Sequence, residues 1–169
     1  MELQHTAAVE RRTPDWLVAA VAGLAGGAAV MLLDLLWSVI VHDVSPWRMS
    51  YMIAAILMGR DILQAAPGYA FDLVVVAVSL VAHYGLGVIF GLILAAIMTP
   101  LRLDATLPRA LVAGAVFGLV LHFVNFYGMV RFFPWFAELR GVATMIAGIV
   151  FGLVAAFIYW RFSRTPRDA

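Results

Sequence analysis

Five side chains interrupt long apolar runs with chemistry that hydrocarbon does not solvate: Asp34, His83, His122, Asn125 and Thr144. A carboxylate, two imidazoles, a carboxamide and a hydroxyl can carry protons, hold a cation or hydrogen-bond a solute. Asp34 is the most expensive of them, since an ionised Asp at mid-bilayer costs about 2.5–3.5 kcal/mol on insertion scales. It is therefore expected to face other helices. It acts there either as a proton- or cation-handling carboxylate or as a structural acid bonded to Asn125, His122 or a loop arginine. His83 and His122 are the residue type that supplies two axial ligands to haem, or part of a metal site. Close glycine-mediated packing leaves little width for a macrocycle, so a hydrogen-bonded polar pair is the simpler expectation and neither cofactor nor metal is predicted. His42-Asp43 reads as a solvated turn rather than a ligand pair.

Other chemistries lack their residues. There is no cysteine, hence no disulfide, thiolate ligand or thiol nucleophile. No Ser-His-Asp order, His-Glu-x-x-His helix or phosphate loop occurs. Gly85-x-Gly87 lies inside an apolar span, where glycine means helix packing rather than a nucleotide turn. The chain is not expected to be an enzyme. All eleven basic residues are arginine and the formal net charge is +1, so no overall field calls for nucleic acid.

The elements that must position these groups follow from hydropathy. Of 169 residues, 64% are hydrophobic and only 12% charged, far outside the balance of a soluble domain. Four stretches are sized to cross a bilayer as helices: about Trp16–Val41, Asp72–Met98, Arg109–Met129 and Gly141–Trp160. The predicted fold is an all-α membrane protein, a four-helix bundle over residues 16–162, with polar tails at 1–15 and 163–169. The first span is too long for a signal-sequence core and is followed by no small-residue cleavage site. Four spans put both termini on one side, together with Arg11, Arg12, Arg102, Arg109, Arg161, Arg164 and Arg167, against Arg48, Arg60, Arg131 and Arg140 on the other. The positive-inside rule makes the termini cytoplasmic. On the far side, Met49–Leu63 is apolar but too short to span and reads as an interfacial or re-entrant helix. Residues 131–140 set aromatics beside charges, as segments at headgroup level do. Trp47, Arg48, Trp135 and Glu138 are the notable side chains of these two outer loops, and Glu138 has Arg48, Arg131 and Arg140 as candidate partners.

The spans repeat. Val21-Ala22-Gly23, Gly27 and Asp34 align without gaps on Val112-Ala113-Gly114, Gly118 and Asn125. Gly87-Val88-Ile89-Phe90-Gly91-Leu92 aligns on Gly148-Ile149-Val150-Phe151-Gly152-Leu153, setting His83 against Thr144. Two parallel hairpins, a two-plus-two duplication, are expected. In the outward-running spans the glycines precede the polar groups, and in the inward-running spans they follow them. Gly23, Gly27, Gly87, Gly91, Gly114, Gly118, Gly148 and Gly152 thus belong to the inner half, where small residues let backbones approach. The five polar side chains belong to the outer half, as a pocket or vestibule open to the periplasm.

Ala113-Gly114-Ala115 followed by His122, then Pro134-Trp135-Phe136-x-Glu138, together with His83-x-x-x-Gly87-x-x-Phe90, resembles the YagU family of small bacterial inner-membrane proteins. The likeness covers roughly the second to fourth spans and is weakest over the first, which carries Asp34. It implies four spans, a bacterial inner-membrane location and a link to acid tolerance. The chain also resembles bacterial proteins labelled sodium:proline symporter. Such carriers are built from broken helices in inverted repeats, whereas the repeat here is parallel. Three functions follow as expectations. The first is a non-enzymatic membrane protein acting by association, as an accessory subunit of a membrane complex or a homo-oligomer, because small-residue faces abound and titratable groups are few. The second is a small transporter or channel for an ion or small solute, using the outer polar cluster. The third is a haem- or metal-binding membrane protein.

Overall fold

Helix α1, Trp16–Ile40, starts where the Asp15 carboxylate accepts from the backbone N–H of Val18 at 3.1 Å, satisfying a donor that the first turn leaves free. The computed structural model describes residues 13–40, 45–65 and 68–163. The charged tails and His42-Asp43 lie outside them. Beyond α1 come α2 (Arg48–Met58), the single turn α3 (Ile62–Ala65), α4 (Leu73–Met98), α5 (Leu107–Phe123) and α6 (Val142–Phe162). No strand occurs among the described residues. Asp72 caps α4, its Oδ1 accepting from Val74 and Val75 at 2.8 and 3.1 Å. Four helices are long and apolar enough to cross a membrane, and their large side chains point outward, Leu17, Leu32, Leu36, Val81, Val112 and Val116 among them. A bundle that turns leucine and valine outward is solvated by lipid, as expected of a membrane protein.

The third apolar span differs from a plain helix over Arg109–Met129. The α-helix starts two residues earlier, at Leu107 with Pro108 in its first turn, and ends at Phe123. It continues as a π-helical turn, Val124–Gly128, and a 3₁₀ turn, Met129–Arg131. The widened turn carries Asn125 and Phe126. Its free carbonyl at Phe126 is taken by Arg140, whose Nε donates at 2.6 Å while its guanidinium lies 4.5 Å from the Tyr127 ring centroid.

The two loops at the chamber end of the bundle fold into helices and turns. Rather than one helix over Met49–Leu63, α2 packs on α4 with Tyr51, Met52, Ala54 and Ala55 buried. The chain then turns at Gly59, whose φ of +90° suits glycine. The segment Pro134–Leu139 forms 3₁₀ turns and is fastened to α2. Trp135 Nε1 donates to the Met52 carbonyl at 3.0 Å, and Arg48 bonds Glu138 at 3.0 Å, which selects Arg48 among the three candidate partners.

The long helices pack in the order α4, α1, α6, α5, with α4 and α5 touching only marginally. Each hairpin closes on its own glycines. A Cβ on Gly23 would overlap the Gly87 carbonyl, one on Gly91 the Ala19 carbonyl, one on Gly118 the Gly148 carbonyl and one on Gly152 the Gly114 carbonyl. Backbones therefore meet directly, which maximises dispersion contact where no hydrophobic effect drives helices together. The hairpins join through α1 and α6, where Gly26 lies against the Phe151 ring and Ala155 is fully buried. This half contains the dry core, which includes Ala22, Leu94, Met98 and Tyr159. Tyr159 and Thr99 share a buried hydroxyl hydrogen bond of 2.7 Å.

Candidate functional site

Away from the termini the helices part around a cavity of about 170 Å³, and its wall draws on every long helix and on α2. Gly27 and Asp34 come from α1, His83 and Phe90 from α4, His122 from α5, Asn125 and Phe126 from the π-helical turn, and Thr144 and Phe151 from α6. Met49, Ile53 and Ile56 of α2 and Phe136 of the 3₁₀ segment roof it. A second cavity of about 250 Å³ adjoins it, sharing Asp34, Met49, Leu139, Thr144 and Ala147 and extending to Trp37, Ser38, Ser45 and Arg48. Asp34 and Thr144 thus stand where this second cavity meets the first, the inner chamber.

All five polar residues singled out in the sequence line the inner chamber, and they do not hydrogen-bond one another. His83 Nε2–H donates to the Gly27 carbonyl at 2.9 Å. A Cβ on Gly27 would lie in ordinary contact with the ring, 3.4 Å from Nε2. Thr144 donates its hydroxyl to the carbonyls of Leu139 at 2.7 Å and Gly141 at 3.1 Å. His122 is 4% exposed, ringed by Phe123, Phe126 and Tyr127 at 5.2–6.0 Å between centroids, and its buried Nδ1 has no hydrogen-bond partner among the described residues. The expected structural bonds from Asp34 to Asn125, His122 or a loop arginine are not made. Asp34 instead shares the chamber wall with His83. Arg48, which lines the second cavity with Asp34, is engaged with Glu138, and Arg140 with the Phe126 carbonyl.

The expected pairing of His83 with His122 is likewise absent. One ring nitrogen of His83 is committed to a backbone carbonyl, and the chamber is below the roughly 300–1,000 Å³ of a drug-sized ligand pocket. Among the described residues no three His, Asp or Glu side chains gather as a metal site. Of the four outer-loop residues, Arg48, Trp135 and Glu138 fasten the roof. Trp47 stands apart, edge-on to Phe71 at 4.9 Å.

Sequence reasoning missed the apolar half of this site. Phe126 follows His122 by four residues and could have been found by helical spacing, but Phe136 and the α2 residues reach the chamber only through the tertiary fold. Gly26 was missed because it has no counterpart in the repeat pattern. No family model, curated protein or solved structure matches this chain.

Proposed function

We propose that this protein is a non-enzymatic membrane protein that admits a small solute from the outer face into its polar chamber, as the binding step of a small transporter. One observation carries the reading: five polar side chains from four helices converge on a cavity, and while His83 and Thr144 are bonded to backbone carbonyls, Asp34 and Asn125 make no side-chain hydrogen bond among the described residues and the buried His122 Nδ1 has no partner there. Polar groups in a bundle that serve only structure bond each other or the backbone, because leaving them unpaired costs free energy. Apolar walls with a few convergent polar groups are the usual make-up of a small-molecule site. The arginine distribution supports termini in the cytoplasm of a bacterial cell and a chamber facing the periplasm. The reading as an associating subunit drew on the glycine faces, and those glycines pack against one another within the chain.

The absence of cysteine makes the test direct. Ala147 lines both cavities, whereas Ala95 is 1% exposed in the dry core. In proteoliposomes, Ala147→Cys reacts with a small uncharged methanethiosulfonate roughly 100-fold faster than Ala95→Cys, as expected of a wet site against one reached only by local opening. Equal rates at the two positions would overturn the proposal.

A further inference from the structure

We infer that the solute is a small protonated amine with a short apolar body. The inference rests on the solute-binding reading above and deepens it by counting hydrogen-bond roles. Thr144 gives its only proton to backbone carbonyls, so its oxygen is left to accept. His83 gives its Nε2 proton to Gly27, so the remaining nitrogen of a neutral ring also accepts. Asp34 accepts only, when ionised, and has no hydrogen bond among the described residues. Arg48, which lines the adjoining cavity, is held by Glu138 at the roof, and Arg140 is held by the Phe126 carbonyl at the π-helical turn. His122 adds a buried ring nitrogen without a partner. Asn125 adds one carbonyl acceptor and two amide donors, so with the Asp34 carboxylate the acceptors of the chamber outnumber its donors, a balance complementary to an ammonium group, which has three donors and no acceptor. It is mismatched to a carboxylate or phosphate.

The walls point the same way. The rings of Phe90, Phe126, Phe136 and Phe151 line the chamber, and aromatic faces attract cations while offering apolar surface to an alkyl body. Asp34 is the one carboxylate that lines both cavities, the second of which also reaches Arg48. The volume of about 170 Å³ suits a small body.

The test compares three molecules of equal length and different charge, n-butylammonium, butan-1-ol and butyrate, as protectants of Ala147→Cys against the uncharged methanethiosulfonate in proteoliposomes. Butylammonium half-protects at a concentration about tenfold or more below that of butanol, as a charge-assisted hydrogen bond implies, and butyrate is weakest. Adding Asp34→Asn brings butylammonium to within about threefold of butanol, whereas Asp34→Glu keeps the preference; thermal unfolding of each variant checks that it is folded. Equal protection by amine and alcohol, or a preference that survives Asp34→Asn, overturns the amine inference while the chamber stands. A thiol at 147 that is labelled yet protected by none of the three also overturns it. A thiol that never reacts removes the chamber and the inference together.

Discussion

Three glycines on α4 sit within seven residues of one another and meet different surroundings, so replacing each with alanine isolates the effect of close packing. A methyl group added at Gly85 would have nothing within 4 Å of it. At Gly87 the methyl carbon would lie 3.0 Å from the Gly23 carbonyl oxygen, and at Gly91 it would be driven into the Ala19 carbonyl with the Gly23 backbone 2.7–2.8 Å away. In a helix alanine is favoured over glycine by about 0.8–1.0 kcal/mol, and forcing a methyl group into a packed contact costs about 1–3 kcal/mol. Gly85→Ala is thus expected to be neutral or to stabilise by up to about 1 kcal/mol. Gly87→Ala needs a shift of a few tenths of an ångström, which the propensity gain roughly offsets, for a net change within about 1 kcal/mol. At Gly91 two backbones must separate, and a loss of about 1–2 kcal/mol remains after the propensity gain. Reversible unfolding in mixed micelles, followed by tryptophan fluorescence, measures all three. A loss at Gly85 as large as that at Gly91 would refute the glycine seam between α1 and α4, because an open position and a closed one would then be indistinguishable.

Three further outcomes follow from single bonds. Tyr159→Phe removes the hydroxyl that bonds Thr99 and accepts from the Asp15 N–H and is expected to destabilise by about 1–2 kcal/mol, while adding Thr99→Val recovers the part due to Thr99; the same unfolding assay reads both. Trp135→Phe removes the bond from the 3₁₀ roof to the Met52 carbonyl at a cost of about 0.5–1.5 kcal/mol and speeds thiol labelling of Ala147→Cys, since the roof opens more often. The half-exposed Arg48–Glu138 pair is expected to show a coupling of at most about 1 kcal/mol in a double-mutant cycle, falling as salt is raised.

The sequence alone determined the membrane class and the positions of the long helices, because apolar runs of more than twenty residues have few other ways to satisfy their backbones. It also determined which half of each helix is small and which is polar, since order along a span becomes depth once the span direction is known. Asp34, Asn125, His83 and Thr144 fall at matching places in the two hairpins for that reason. Only the tertiary structure decided what those groups do with one another. The hydrogen bond of His83 to the Gly27 carbonyl, the ring nitrogen of His122 without a partner among the described residues and the pairing of Arg48 with Glu138 depend on distances of a few ångströms between segments far apart in sequence, which spacing along the chain does not encode. The roof shows the same division. The sequence marks Met49–Leu63 as too short to span, but its packing on α4 and its fastening to Trp135 and Glu138 are contacts between residues more than 80 positions apart. Local preference fixes the rods and their faces, and the choice between a dry polar knot and an open chamber is made by how those faces meet.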